Sequence, residues 1–298
     1  MTYVLYNPLA DNGSGKKNAE GICGLLPSEE IVFLDVTGIN AAEFLEGASP
    51  DDRVILSGGD GTIHCLVNRA KGEIKHPLYY YPTGSGNDFT TDIRAADKDE
   101  LILLDPYIRA LPTVKVNGKT LLFLNGIGYG IDGYCCEEGD KLRKKTDKPI
   151  NYAAIAVKGL LFRFKPRAAT IVVDGVKREY EHVWLAATMN GRFYGGGMNV
   201  APSQDRLNAE RSVTVIVMHC PNKFKTLMAF PSIFKGEHVL KKDIVDVLTG
   251  HEVTVAFDSP TPLQVDGETF TGVSGYSVSS AGAHGTAEAA GTAERSFS

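Results

Sequence analysis

Two glycine-rich segments of this 298-residue chain have the composition of anion-binding loops. Gly58–Thr62 (Gly-Gly-Asp-Gly-Thr) follows the apolar run Arg53–Ser57, and Gly84–Asp88 (Gly-Ser-Gly-Asn-Asp) follows the run Leu78–Tyr81. Glycines at a strand end let backbone N–H groups approach a phosphate without a Cβ in the way. A helix that begins inside the first segment would point the positive end of its dipole at the same anion. The pair predicts phosphate binding, although ordinary strand-to-helix turns would use the same residue types.

The two commonest nucleotide-binding fingerprints are absent from the sequence. A P-loop requires a glycine five residues before its Gly-Lys and a hydroxyl residue after it, but Gly15-Lys16 has Ala10 and Lys17 in those places. Gly126, Gly128 and Gly130 are spaced two by two, which does not fit G-x-G-x-x-G. A standard P-loop NTPase and a dinucleotide-dependent dehydrogenase are therefore disfavoured.

The first hundred residues alternate apolar runs with helix-compatible stretches, which predicts βαβ units and a parallel sheet. The predicted strands are Tyr3–Tyr6, Ile31–Val36, Arg53–Ser57 and Leu78–Tyr81, and the predicted helices are Lys16–Leu26, Ala41–Leu45 and Thr62–Ala70. Ligands of such sheets bind beyond the carboxyl ends of the strands. Because three of these ends carry loops with Gly, Asn or Asp, we expect one site to gather them.

The pattern changes after about Leu111 to a mainly β organisation. The predicted strands are Val114–Val116, Leu121–Leu124, Thr170–Val173, Val183–Ala187, Val213–Met218 and Glu252–Phe257, with helical insertions near 151–162 and 223–234. The fold class is therefore α/β plus all-β, with an α/β domain at residues 1–111 and a β domain at 112–278. Residues 279–298 are small and bury little, so we predict a disordered tail there.

The amino-acid composition restricts which partners the chain can bind and where it is expected to act. The net charge of −5 and the pI near 5.8 argue against nucleic acid, which requires a basic field. The N-terminus lacks the basic and apolar regions of a signal peptide, and no apolar run approaches membrane-spanning length, so we expect a cytoplasmic protein. The five cysteines contain no Cys-x-x-Cys and are expected to be reduced thiols.

Six short segments together resemble the bacterial lipid kinases related to diacylglycerol and sphingosine kinases. They are Asn7-Pro8 with Gly13-Ser14-Gly15, Gly58–Thr62, Gly84–Phe89, Asn125–Asp132, Gly195–Met198 with Ala201-Pro202, and Val265–Glu268. Each segment alone is weak, and Gly58–Thr62 alone also fits the related NAD kinases. All six in family order, from residue 7 to residue 268, are a specific signal.

This resemblance implies a nucleotide-binding kinase domain followed by a C-terminal β-sandwich domain, with ATP in the cleft between them and Mg²⁺ as cofactor. The implied nucleotide-binding residues are Asn7, Pro8, Thr37, Gly58, Gly59, Asp60, Gly61, Thr62, Gly84, Ser85, Gly86 and Asn87. Asp88 would help Asn87 to shape the phosphate end of the cleft, and Asp132 would join a magnesium-linked water network. Asp266 and Glu268 would be the acid/base pair beside the lipid hydroxyl.

The spacing of Asp266 and Glu268 allows two interpretations. In an extended segment, residues two apart face the same side, so both carboxylates could converge on one hydroxyl and accept its proton. Asp266-Gly267 is also a typical hairpin turn, as is Asp174-Gly175, for which no function is implied.

The chain departs from the family pattern in two places. His64-Cys65 stands where the family has Asn-Glu, and His64 is either a hydrogen-bond donor or a surface histidine. The segment 203–211 lacks the family's Asp-Asp-Gly turn, whose Asp organises a structural Mg²⁺. Asp205 or Glu210 could supply the missing oxygen ligand, or each is a surface charge paired with a neighbouring arginine.

A lipid substrate requires contact with a membrane surface, and two segments are candidates for it. The first has a basic cluster and a mixed basic-apolar stretch, which suits an anionic membrane: Lys141, Arg143, Lys144, Lys145 and Lys148, then Ile155, Lys158, Leu160, Leu161, Phe162, Arg163, Phe164, Lys165 and Arg167. The second has apolar residues at helical spacing and is assigned to the core: Phe224, Leu227, Phe230, Ile233 and Phe234. Helices packed on a sheet with a solvated charged face are the alternative for both.

The sequence therefore predicts an ATP-dependent lipid kinase that phosphorylates a hydroxyl of diacylglycerol or a related neutral lipid. We expect peripheral membrane association, no nucleic acid and no obligate protein partner, while homodimer formation stays open. The alternatives are a soluble-substrate kinase similar to NAD kinase, and an inactive nucleotide- or lipid-binding regulator.

Overall fold

The computed structural model describes residues 1–84, 86–93, 100–145, 150 and 152–281. The chain divides into two compact units. The first unit is Met1–Leu111 together with Gly195–Gly197, and the second is Pro112–Tyr194 with the chain from Met198 onward. Across the described ranges, no helix has both the length and the apolar character needed to cross a bilayer.

The first unit contains a five-stranded sheet with the order β2-β1-β3-β4-β5. Its strands are β1 (Thr2–Tyr6), β2 (Ile31–Asp35), β3 (Arg53–Gly58), β4 (Leu78–Pro82) and β5 (Ile102–Leu103). The first four are parallel, which confirms the predicted sheet, and β5 adds an antiparallel edge. Val54, Ile55 and Leu56 of β3 are all buried, as expected for a parallel sheet covered on both faces.

Among the described residues of this unit, seven short helices lie between or after these strands. They are α1 (Ala10–Gly13), α2 (Gly15–Ala19), α3 (Ile22–Leu25), α4 (Ala41–Gly47), α5 (Asp60–Arg69), α6 (Asp88–Asp92) and α7 (Asp105–Ile108). The predicted helix Lys16–Leu26 is interrupted between α2 and α3 at Gly21, a residue with low helix propensity. Ala19 and Ile22 pack against Val4 and Ile55 of the central strands.

The second unit is dominated by strands. They are β6 (Thr113–Val116), β7 (Lys119–Leu122), β8 (Gly126–Gly130), β9 (Arg167–Val173), β10 (Val176–Met189), β11 (Phe193–Tyr194), β12 (Met198–Asn199), β13 (Val213–His219), β14 (Val245–Gly250), β15 (Glu252–Val265) and β16 (Glu268–Ser279). The helices are α8 (Ile131–Arg143), α9 (Tyr152–Lys158) and α10 (Lys223–Ala229). A π-helical turn (Gly159–Arg163) extends α9, and two 3₁₀ turns (Phe230–Lys235 and Glu237–Leu240) follow α10.

The long strands β10 and β15 give the second unit its β-sandwich character. Strand β9 pairs with the first half of each, and β8 pairs with the second half of each. Register shifts between Tyr180 and Val183, and between Ala256 and Thr261, mark where these long strands change partner. Apolar residues from β8, β9, β13, β15 and β16 form one buried cluster between the layers.

A second core covers the outer face of β10 and β13, where α8, α9 and α10 pack. Trp184 is buried there and donates its indole N–H to the carbonyl of Cys220 at 2.9 Å. Leu160 of the π-helical turn and Ile233 of the first 3₁₀ turn belong to the same cluster. The helical insertions predicted from the sequence therefore lie on this face of the sheet.

The start of the predicted tail requires correction. Strand β16 includes Ser279, and Ser280 is fully buried. The Ser280 N–H donates to the carbonyl of His251 at 2.9 Å, and its hydroxyl lies 3.0 Å from Nδ1 of the same residue. The small side chains at the end of β16 did not prevent this segment from forming a strand, because backbone pairing with β15 and β6 requires no large side chain. Residues 282–298 of the predicted tail lie outside the described residues.

Candidate active site

The carboxyl ends of four parallel strands meet at one edge of the first unit's sheet. Tyr6 pairs with Asp35 on one side and Ser57 on the other, and Gly58 pairs with Pro82. The loops that follow these strands therefore begin side by side. They contain nearly all the predicted nucleotide-binding residues: Asn7, Pro8, Thr37, Gly58, Gly59, Asp60, Gly61, Thr62, Gly84, Gly86 and Asn87. Ser85, also predicted, lies outside the described residues.

The two glycine-rich loops are joined through their backbones. The carbonyl oxygen of Gly58 accepts the N–H groups of Thr83 at 2.9 Å and Gly84 at 3.0 Å. It also accepts the hydroxyl of buried Tyr80 at 2.9 Å, and burial holds the pKa of that phenol well above its usual range. A Cβ on Gly84 would lie 2.3 Å from Cα of Gly59, so only glycine permits this approach. The second loop is thus held directly against the first.

Asn7 connects the loop after β1 to the same edge. Its backbone N–H donates to the carbonyl of Ser57 at 3.1 Å, and its Nδ2 donates to Oγ1 of Thr62 at 3.2 Å. Its Oδ1 accepts the N–H of Leu9 at 3.0 Å. A Cβ on Gly15 would lie 1.9 Å from the carbonyl oxygen of Asn7, which explains the glycine there.

Helix α5 begins within the first glycine-rich loop. Gly59 caps it in an extended conformation, and the helix continues for ten residues. Asp60 Oδ2 accepts the N–H of Phe89 at 3.1 Å, which ties this loop to α6. The N-terminus of a ten-residue helix carries partial positive charge from its aligned peptide dipoles, and this charge favours an anion beyond the strand ends.

Thr37 and His64 occupy different environments at this edge. Thr37 is exposed, and both its N–H and its hydroxyl donate to Oδ1 of Asp35 at 2.8 and 2.7 Å. His64 is 5% exposed on α5, so the interpretation as a surface histidine is wrong. It lies on the inward face of the helix, one turn before Asn68, whose side chain donates to its carbonyl at 3.0 Å.

Asp88 binds a second glycine segment. It is buried, and its two carboxylate oxygens accept the N–H groups of Gly196 at 2.8 Å and Gly197 at 2.7 Å. Gly195, Gly196 and Gly197 all have positive φ values, of 66°, 82° and 105°. Such a run presents consecutive N–H groups to one anion, and here that anion is a carboxylate of the protein itself.

Asp266 lies in a two-residue turn rather than in an extended strand. Asp266 and Gly267 have φ values of 46° and 89°, and they connect Val265 of β15 to Glu268 of β16. The assumption that both carboxylates share one face of an extended segment is therefore wrong. An Asp-Gly sequence adopts left-handed conformations easily, and this preference determines the local geometry.

The carboxylate of Asp266 binds three consecutive backbone amides. It accepts the N–H groups of Leu124 at 2.5 Å, Asn125 at 2.8 Å and Gly126 at 3.0 Å. The Asp266 N–H donates in return to the carbonyl of Gly126 at 3.1 Å. Glu268, by contrast, is exposed. One carboxylate is therefore fixed in place, and the other is open to solvent.

Two residues that sequence reasoning did not select hold the same segment. The buried guanidinium of Arg206 donates to the carbonyl of Leu124 at 3.2 Å and to Oδ1 of Asn125 at 3.0 Å. Asn190 donates its side-chain N–H to the carbonyl of Leu124 at 2.8 Å. This arrangement could not be predicted from residue spacing, because the partners are more than sixty residues apart in the sequence.

The three predicted metal-binding residues lie in different surroundings. Asp132 is buried in the first turn of α8, where a Cβ on Gly128 would lie 1.7 Å from its Oδ2. Asp205 and Glu210 are exposed and line a cavity of about 470 Å³, and Asp205 Oδ1 accepts the N–H of Leu207 at 2.9 Å. Within the described ranges, no group of three or more His, Cys, Asp or Glu side chains could hold a metal ion. Burial and the nearby Asp132 raise the pKa of the Cys135 thiol, so it is a poor ligand.

Two family matches cover most of the chain. Residues 1–111 match the diacylglycerol kinase catalytic domain, and residues 125–279 match the YegS C-terminal NAD kinase beta sandwich-like domain. A diacylglycerol kinase of Mycobacterium tuberculosis is 26% identical over 269 residues, covering 86% of this chain and 84% of that protein. A diacylglycerol kinase of Bacillus subtilis is 26% identical over 224 residues, covering 73% and 71%. A crystal structure of a diacylglycerol kinase from Bacillus anthracis superposes with a TM-score of 0.59 at 18% identity, covering 93% and 92%, and shows the shared fold.

Proposed function

The chain belongs to the diacylglycerol kinase family of lipid kinases, and from this premise we propose that it transfers the γ-phosphoryl group of ATP to a hydroxyl of diacylglycerol or a related neutral lipid. The observation that carries the proposal is the backbone contact between Gly59 and Gly84 at the sheet edge. Two independent turns would not need to meet in this way. Loops that meet, beside the N-terminus of α5, suit a polyphosphate that several N–H groups bind at once.

The nucleotide contacts belong to the loops of the first unit. Asn7 and Thr62 are held to each other and border the phosphate-binding edge. Asp60 fixes α6 behind the second loop through the N–H of Phe89. Phosphoryl transfer depends mainly on positioning and on electrostatic stabilisation, so a rigid edge of this kind supplies what the reaction requires.

A magnesium ion would be held largely by the nucleotide. Mg²⁺ in kinases commonly binds one or two carboxylates together with phosphate oxygens and waters. Asp60 is the carboxylate within the first glycine-rich loop, and this donor set fits that pattern. When bound, the ion would neutralise charge on the transferred group.

We assign to Asp266 the role of accepting the proton of the attacking hydroxyl. Glu268, two residues later, is the second candidate for this role. A hydroxyl nucleophile needs a positioned carboxylate to accept its proton. Asp266 is positioned by three backbone N–H groups that donate to its carboxylate. Glu268 is exposed. The two therefore have to be tested separately.

The test is ADP release by purified protein with Mg-ATP in mixed micelles. The micelles carry diacylglycerol, monoacylglycerol, phosphatidylglycerol, a sphingoid base or no lipid. We expect ADP release that depends on diacylglycerol. Asp60→Ala should release far less ADP while remaining folded, with some loss of stability because the N–H of Phe89 loses its acceptor. Equal release with and without lipid, or turnover of NAD⁺ alone, would contradict the proposal.

A further inference from the structure

Helix α10 exposes two large apolar side chains, while Leu227 packs against the core. Phe224 is 72% exposed and Met228 is 82% exposed, and residues four apart lie on one face of a helix. Thr226 and Ala229 are buried instead. The assignment of Phe224 and Phe234 to the core is therefore wrong, since Phe234 is 45% exposed, whereas Phe230 and Ile233 are buried as predicted.

A third exposed aromatic residue lies on the neighbouring element. Phe162, in the π-helical turn after α9, is 75% exposed. The Lys223 ammonium group at the start of α10 donates to the carbonyl of Leu161 and joins the two elements. We call Phe162, Phe224 and Met228, with the basic residues around them, the α10 surface.

The charge around the α10 surface is opposite to that of the whole chain. Residues 152–165 and 222–243 contain eight Lys or Arg, one Glu and one Asp, and Asp243 pairs with Lys225, whereas the chain as a whole has a net charge of −5. Arg163, Lys165 and Lys235 are exposed among the apolar side chains. Such a local excess attracts an anionic surface.

Helix α8 carries a basic cluster of a different kind. Lys141 pairs with Glu137 at 3.1 Å and with Glu138 at 2.8 Å, and Arg143 lies 3.9 Å from Asp140. These acidic partners reduce the attraction of Lys141 and Arg143 for anions, and Lys148 of the same predicted cluster lies outside the described residues. The expected membrane contact therefore shifts away from α8, towards the π-helical turn and α10.

We propose that the α10 surface inserts Phe162, Phe224 and Met228 among the headgroups of an anionic bilayer. This proposal rests on the proposed function, since a lipid kinase must reach a substrate that resides in a membrane. The surface consists of one helical turn and a seven-residue helix, which are fewer residues than the roughly 20–30 that each partner contributes to a stable protein interface. Shallow insertion beside lysine and arginine side chains requires no larger area.

The binding experiment is flotation with vesicles. Wild type is mixed with vesicles of phosphatidylcholine alone or with an equal part of phosphatidylglycerol, at low salt and at about 0.5 M NaCl. We expect binding to the anionic vesicles, weakened by salt. The variant Phe162→Ser/Phe224→Ser/Met228→Ser is expected to bind about 10-fold more weakly or worse. Val176→Ser, at a 59%-exposed position on the β9–β10 hairpin, is the matched control and should bind as wild type does.

Three results would overturn the proposal. The first is that wild type does not bind anionic vesicles, and the second is that the triple variant binds them as well as the control does. The third is that wild type is a dimer and the triple variant is a monomer. Thermal unfolding checks that the triple variant is folded, and Phe224→Ser alone is the milder substitute if it is not.

An activity assay distinguishes failure of this proposal from failure of the proposed function. The triple variant should retain turnover of a short-chain diacylglycerol dissolved as monomers, and lose turnover of long-chain diacylglycerol in vesicles. If it loses both equally while folded, the proposal is wrong. If wild type binds anionic vesicles through these residues but phosphorylates neither lipid, the surface stands and the proposed function fails.

Discussion

Gly59 and Gly84 touch through their backbones, with the Cα of one filling the space that a Cβ of the other would need. The contact joins the loops after β3 and β4. Since the atoms involved are main chain, neither loop can move aside by changing a rotamer. The geometry of the candidate phosphate site thus depends on glycine, which has no Cβ, at positions 59 and 84.

We expect Gly84→Ala to weaken ATP binding and to lower the free energy of unfolding by about 1–3 kcal/mol, because it overpacks a backbone contact. Gly24→Ala is the control, since nothing lies within 4 Å of its Cβ position and alanine favours the helix. Urea unfolding and calorimetric titration with ATP measure both effects. An unaffected Gly84→Ala would show that the loops do not depend on this approach.

Asp88→Asn should loosen the segment Gly195–Gly197. An amide side chain has one acceptor oxygen, so one of the two N–H groups that Asp88 now binds loses its partner. We expect a stability loss of about 1–3 kcal/mol. Asp51→Asn, at an exposed position, is the control. Chemical denaturation distinguishes them, and equal stability of both variants would contradict the assigned role of Asp88.

Asp266→Asn is expected to abolish phosphoryl transfer and also to reduce stability by about 1–3 kcal/mol, because one of its amide contacts is lost. Its matched control is Asp174→Asn. Asp174 has a φ of 47° in a similar turn, and its carboxylate accepts the N–H groups of His251 and Glu252, both at 2.8 Å. Both N–H groups donate to Oδ1 of Asp174, so the single amide oxygen of the control can still accept them, and the control should keep both stability and activity.

Glu268→Gln completes this comparison. If it removes activity while Asp266→Asn keeps it, Glu268 is the proton acceptor and Asp266 positions the Leu124–Gly126 segment. If all three variants lose activity in proportion to their stability, neither carboxylate has a specific chemical role. ADP release and urea unfolding on the same preparations decide between these outcomes.

His238 predicts a pH dependence of stability. It is fully buried with Nε2 2.9 Å from the carbonyl of Val200, and burial lowers its pKa from 6.5 to about 4. Between these values the unfolded chain binds a proton that the folded protein does not, so stability falls as the pH is lowered from 6.5 to 4. The loss from this group alone is about 3 kcal/mol.

His238→Gln should flatten that pH dependence, whereas His182→Gln, at an exposed position, should leave it unchanged. Urea unfolding at several pH values between 4 and 7 provides the measurement. A parallel pH profile for wild type and His238→Gln would mean that other groups cause the acid sensitivity.

Apolar periodicity predicted the parallel sheet well, because buried strands such as β3 are continuous hydrophobic runs. It missed β8, whose sequence Gly-Ile-Gly-Tyr-Gly is rich in a residue with low strand propensity. That strand is fully buried, and Gly128 there makes room for Asp132. The reason for these glycines is a close contact that only the folded chain contains.

Only part of the candidate site could be predicted from the sequence, for a similar reason. The loops after β1, β3 and β4 were identifiable because their glycines and short polar residues follow apolar runs. The turn at Asp266 was one of the two interpretations that the sequence left open, but the three N–H groups that its carboxylate binds were not predictable, because they lie at least 140 residues away. The exposure of Phe224 was also hidden, since a short helix with apolar residues on both faces does not reveal which face packs.

The pairing of β6 with β16 has a consequence for how the protein is made. Thr113 on the first strand of the second unit pairs with Ser279 on its last, 166 residues later. Because such distant segments must meet, closure of this unit is expected to be slow. On the ribosome, β6 remains without this partner until β16 has emerged. A chaperone that shields apolar strands during synthesis would therefore act mainly on the second unit.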